Sequence, residues 1–116
     1  MNQHFSFDRA VFRELVDELG AADTAEVLRT FLADTGKKLT ALEASSHDGS
    51  LLKREAHSIK SSAATFGFTA LSELARQIEL GAATMSPEQR QTSIGELGQR
   101  FETVGQFALA NLLGTG

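Results

Sequence analysis

Apolar residues in this chain of 116 recur at every third or fourth position, and nowhere do β-branched residues alternate with polar ones for more than a few places. The first spacing lines one face of an α-helix, whereas the missing alternation is what a half-buried strand requires. Ala and Leu, both strong helix formers, are the commonest residues, and the one proline, Pro87, leaves long stretches free to stay helical. These patterns argue against a β-sheet architecture and predict an all-α chain.

Start and stop signals divide the chain into five helices. Ser6 or Asp8 caps the first, Phe7, Val11, Leu15 and Leu19 repeat at four-residue spacing, and Gly20 stands where a glycine ends a helix. A second helix is predicted from about Asp23 to Ser45, with Leu28, Phe31, Leu32, Thr35, Leu39 and Leu42 along one stripe. The polar run from Ser45 to Ser50 reads as a turn in which Asp48 or Ser50 caps a third helix that stops at Gly67. Thr69 is expected to cap a fourth helix, with Leu71, Leu74, Ala75 and Ile78 facing inward, which fades between Gly81 and Thr84. Ser86-Pro87-Glu88-Gln89 then combines an N-cap, a proline at the first helical position and a capping-box glutamine. From there Ile94, Leu97, Phe101, Val104, Ala108 and Leu112 carry an apolar stripe close to the end of the chain.

Four long helices with short connections are expected to form an up-down-up-down antiparallel four-helix bundle, with the short first helix added across one end or against one side. No repeat, linker or low-complexity tract divides the chain, so residues 1–116 are read as a single domain. Hydrophobic residues at 41% and charged residues at 22% fit a globular protein rather than a disordered one. The absence of Cys rules out a disulfide framework, a thiolate metal site and a cysteine nucleophile, and fits a reducing compartment. A net charge of −4 argues against general affinity for nucleic acid or an anionic membrane. No apolar run approaches the roughly 18–20 residues that cross a bilayer, and the start of the chain lacks the basic and apolar segments of a signal peptide. A cytoplasmic location is therefore expected.

The third helix carries the functional signal. Leu52, Ala56, Ile59, Ala63 and Phe66 are spaced 4, 3, 4 and 3 residues apart and share one narrow face. His57 falls about 140° from the middle of that face and is expected to point into solvent. Lys53, Arg54, Lys60, Ser61 and Ala64 surround it on the helix surface. A neutral imidazole offers an unprotonated ring nitrogen as a nucleophile, and a lysine one turn along can meet an incoming phosphoryl group. Small residues at Ser61 and Ala64 let another protein approach the ring. Taken alone, however, an exposed histidine among cations is ordinary helix surface, and periodicity leaves the chain an unassigned bundle.

The stretch Ala56-His57-Ser58-Ile59-Lys60-Ser61-Ser62-Ala63-Ala64-Thr65-Phe66-Gly67, followed by Leu71, Leu74 and Ile78-Glu79, resembles the histidine-containing phosphotransfer (HPt) family. That family's pattern is roughly A-H-x-[LI]-K-G-[SA]-[SA]-x-x-[LFV]-G, then L-x-x-L and [LI]-[EQ]. The match covers about 24 residues, and the helix layout extends it along the chain. The resemblance implies His57 as the phospho-acceptor on Nε2, Lys60 as the phosphoryl-stabilising lysine and Glu79 as the residue orienting the imidazole through Nδ1. It also implies Gly67 as the glycine of the hairpin turn, and a partner surface that includes Lys53, Arg54, Ser61 and Ala64. Ser61 departs from the family, which has glycine there, and the change bears on the shape of the docking surface.

The implied function is a relay of a phosphoryl group between receiver-domain aspartates in a two-component pathway, by a stand-alone monomer that is not itself an enzyme. It needs no cofactor, because Mg²⁺ and most catalytic groups belong to the receiver. The alternative is a non-phosphorylated adaptor that binds a receiver or kinase through the same face. Other chemistries lack their residues. His4 and His47 are expected to be simply solvated, and no Glu-x-x-His or His-x-x-x-His pair suggests a metal. There is no phosphate-binding glycine loop, and no oxyanion hole is evident beside a Ser61–His57 pair for hydrolysis. The eight phenylalanines are expected in the core or packed at its ends, with Phe68, just past a helix end, partly exposed.

Overall fold

A computed structural model describes residues 5–45 and 48–113. Among them are five α-helices and one short 3₁₀ helix, with no strand: α1 (Arg9–Leu19), α2 (Ala21–Ala44), α3 (Gly49–Phe66), α4 (Thr69–Gly81), the 3₁₀ helix (Ala82–Thr84) and α5 (Pro87–Asn111). The all-helical reading holds. His4 and His47 lie outside the described residues.

Most ends follow the caps in the sequence. Asp8 rather than Ser6 caps α1, accepting from the N–H groups of Ala10 and Val11. Asp48 rather than Ser50 caps α3 through the Leu51 N–H at 3.0 Å. At α5, Ser86 and Gln89 complete the reciprocal capping box.

Two junctions differ from expectation. α2 starts two residues earlier than Asp23, because Gly20 at φ +85° both ends α1 and opens α2, and the Thr24 hydroxyl donates back to the Gly20 carbonyl. At α4, Thr69 is the first helical residue and not the cap; the capping position belongs to Phe68, which makes no side-chain capping bond. The Thr69 hydroxyl is instead hydrogen-bonded to that of Ser6.

The core is one apolar cluster to which α2, α3, α4 and α5 all contribute, with Leu28, Leu42, Leu52, Ala56, Ile59, Leu71, Ala75, Leu97 and Ala108 all essentially inaccessible. α1 contains no fully buried residue, and Leu19, the last of its expected stripe, is exposed. Aromatic packing adds to the Ser6–Thr69 hydrogen bond in attaching the segment before α1. The Phe7 ring lies 4.9 Å from Phe107 and 5.5 Å from Phe68, and Phe5 also packs on Phe107.

Phe68 corrects the expectation of partial exposure, since it is fully buried. Its N–H reaches back to the Ala63 carbonyl while the Gly67 N–H reaches Ala64, a pattern that folds the residue after the glycine onto the helix just ended. There it meets the rings of Phe7, Phe31 and Phe66. Gly67 sits at φ +88° with its carbonyl accepting from the Asp8 N–H at 2.8 Å, and a Cβ would lie 2.6 Å from the Asp8 oxygen. Only glycine fits a left-handed turn so tightly covered. The turn sends α4 back antiparallel along α3: the Ser72 hydroxyl bonds the Lys60 carbonyl, and further from the turn Glu79 stands opposite His57.

Candidate functional site

The narrow apolar face of α3 decides where the histidine goes. Leu52, Ala56, Ile59, Ala63 and Phe66 are all buried, so His57 is turned outward with 60% of its side chain exposed. On α4 the buried residues Leu71, Leu74, Ala75 and Ile78 leave Glu79 at the rim of the interface with α3. Seven residues, or two helical turns, separate Glu79 from Ser72, so both look toward α3. The Ser72–Lys60 bond at 2.9 Å thus fixes the register that brings Glu79 to the histidine.

Glu79 holds two partners at once. Its Oε2 lies 2.7 Å from His57 Nδ1 and its Oε1 2.8 Å from Lys60 Nζ. The hydrogen bond from Lys60, then that from His57, holds the Glu79 carboxyl below the usual carboxylate range, so it is an anion at neutral pH. A carboxylate only accepts, so Nδ1 carries the proton that joins them. In the neutral ring the lone pair is then on Nε2, the nitrogen outside that bond.

Lys53 and Arg54 are exposed one turn before His57, and with Ser50, His57 and Glu79 they line a cavity of about 380 Å³. Ser61 and Ala64 are exposed small residues on the far side of the ring along α3, and Gly67 lies at the turn, away from this cluster. His57, Lys60, Glu79, Lys53 and Arg54 are therefore gathered within two turns of α3 and the facing rim of α4. The contribution of Ser72 was not singled out from the sequence, although its two-turn spacing from Glu79 is legible there. Among the described residues no three His, Asp or Glu side chains form a metal-binding group, and no helix is long and apolar enough to cross a membrane.

A family model described as Hpt domain matches residues 26–112, most of the chain. The chain belongs to the Hpt domain family. Membership implies histidine phosphotransfer in two-component signalling, and Hpt domains are phosphocarrier modules that work with receiver domains. The match begins within α2 and ends just beyond α5, so α1 and its aromatic anchor precede it. Comparison with curated proteins and with solved structures gave no match.

Proposed function

We propose that this Hpt protein relays a phosphoryl group between the aspartates of receiver domains, with His57 as the carrier. Nε2 of the neutral ring attacks phosphorus in the aspartyl phosphate. As the N–P bond forms, the P–O bond to the aspartate breaks and the carboxylate leaves with the electron pair. The ring, still protonated on Nδ1, becomes cationic, and the Glu79 carboxylate at 2.7 Å stabilises that charge while holding the ring in place. Lys60, at 2.8 Å from the same carboxylate, is placed to counter the negative phosphoryl oxygens. The reverse attack by a second receiver aspartate returns the imidazole to its starting state.

The observation that carries this reading is an exposed imidazole whose Nδ1 is tied to a carboxylate, leaving Nε2 as the attacking atom. The partner docks on the outer surface of α3 and α4 around His57, where Ser61 and Ala64 keep the approach low and Lys53 and Arg54 supply positive charge. The four long helices form an up-down-up-down bundle that holds this surface rigid. The carrier acts in the cytoplasm as a monomer with no cofactor, the receiver bringing the Mg²⁺.

The test is transfer of radiolabelled phosphate from a panel of phosphorylated receiver domains to the wild type and to His57→Gln. Label confined to the wild type, lost in acid and kept in base, is the expected result. A folded wild type that takes no label from any receiver, or a His57→Gln variant that labels equally, overturns the proposal.

A further inference from the structure

The charge of this acidic chain is unevenly placed. α3 carries Lys53, Arg54 and Lys60 against Glu55 alone, a formal +2, whereas α1, α2, α4 and α5 each carry −1 and the capping residues Asp8 and Asp48 complete the net −4. The cations of α3 also differ in what they face. Lys60 has Nζ on the Glu79 carboxylate, so its charge is already met in the resting protein. Lys53 and Arg54 line the cavity of about 380 Å³ that opens beside His57 on the N-terminal side of the ring.

A second cavity, of about 620 Å³, shares Lys53 and Ser50 with the first and runs past Asp48 and Gly49 to Arg90 of α5. Arg90 is held there by a hydrogen bond to the Met85 carbonyl at 2.6 Å. The two carboxylates bordering these cavities are engaged, Glu79 with His57 and Lys60, and Asp48 with the Leu51 N–H. Beyond Lys60, by contrast, α3 continues as Ser61-Ser62-Ala63-Ala64-Thr65-Phe66 with no cation.

We propose that Lys53 and Arg54, continued by Arg90, form an electrostatic track that draws an acidic, phosphoryl-bearing protein surface onto His57 from the N-terminal side of α3. The inference rests on the relay reading and adds the partner's charge and direction of approach. A surface that delivers a phosphoryl group from a carboxylate is negative at its centre. On a carrier of net −4 this strip offers such a surface a local run of cations beside His57, and fields of this kind raise association rates by about 10–10³ at low salt. The strip thus selects the orientation in which the phosphoryl group enters beside Nε2, and the uncharged Ser61–Ala64 side receives the apolar part of the partner.

The experiment uses a receiver domain that phosphorylates the wild type, and measures kcat and KM of transfer to Lys53→Glu, Arg54→Glu and Arg90→Glu. Lys37→Glu, the same charge change on an exposed position of α2, is the control. Circular dichroism checks each fold, and Lys53→Gln and Arg54→Gln replace any reversal that fails to fold. The expected result is a KM raised about 3- to 10-fold at low ionic strength for Lys53→Glu and Arg54→Glu, with a smaller rise for Arg90→Glu. kcat stays within about twofold, and the rise fades toward 0.5 M salt, where the screening length is only a few ångströms. KM values equal to wild type, an equal effect from Lys37→Glu, or a fall in kcat with KM unchanged overturns the track. A wild type that takes no label from any receiver overturns the relay and the track together, whereas a labelled wild type with unaffected variants overturns the track alone.

Discussion

Glu79 is the residue on which the site turns, because one carboxylate answers two bases. Replacing it with Gln keeps an oxygen for the Nδ1 proton but removes the charge that stabilises a cationic ring and holds Lys60. Charge-assisted hydrogen bonds are roughly twice as strong as neutral ones, so Glu79→Gln is expected to slow transfer on the order of tenfold with the fold intact. Stopped-flow transfer together with circular dichroism checks this. The same pairing gives stability a pH dependence. Lys60 and His57 hold the folded Glu79 carboxyl below its ordinary value near 4.3, so their contribution is complete above that value and lost as pH falls through the lower folded one. Urea midpoints of wild type and Glu79→Gln should therefore differ at neutral pH and converge in acid; a gap that widens in acid contradicts the assignment.

The α3–α4 hairpin turns separate local signals into a site. Gly67→Ala forces a left-handed backbone on a residue with a Cβ, costing about 1–2 kcal/mol, and drives that Cβ into the Asp8 carbonyl oxygen 2.6 Å away. A loss of at least about 2 kcal/mol in urea unfolding is expected, larger than for Gly95→Ala, where a Cβ meets open space and helix propensity improves. Helix type and most ends were legible because Asp8, Asp48, Gly67 and the Ser86–Gln89 box act within four residues of where they stand. Gly20 serving two helices was less so, since a glycine that ends one helix does not announce that the next begins at once. The cluster of His57 and Lys60 follows from spacing on one helix. The grip of Glu79 on both depends on the register across the hairpin, set by Ser72, and periodicity carries no register.

At the scale of the whole molecule, the end that holds the chain together is distinct from the stretch proposed to carry the chemistry. Phe68 is buried although its place after a helix end suggests exposure, because the glycine turn folds it inward, under Phe7 and against Phe31 and Phe66, where it ties the segment before α1 to the core. Phe68→Ala is expected to cost about 3–5 kcal/mol, a large share of the roughly 5–15 kcal/mol that a domain of this kind has in hand. His57 lies ten residues before Gly67, about 15 Å along α3, and is held by Glu79, in the register that the Ser72–Lys60 bond sets, rather than by the aromatic cluster. Measured at a temperature where Phe68→Ala stays folded, transfer should therefore keep its wild-type rate while the urea midpoint drops. A rate that falls along with stability would show that the aromatic end and the histidine are mechanically linked, which the intervening turns of paired helix argue against.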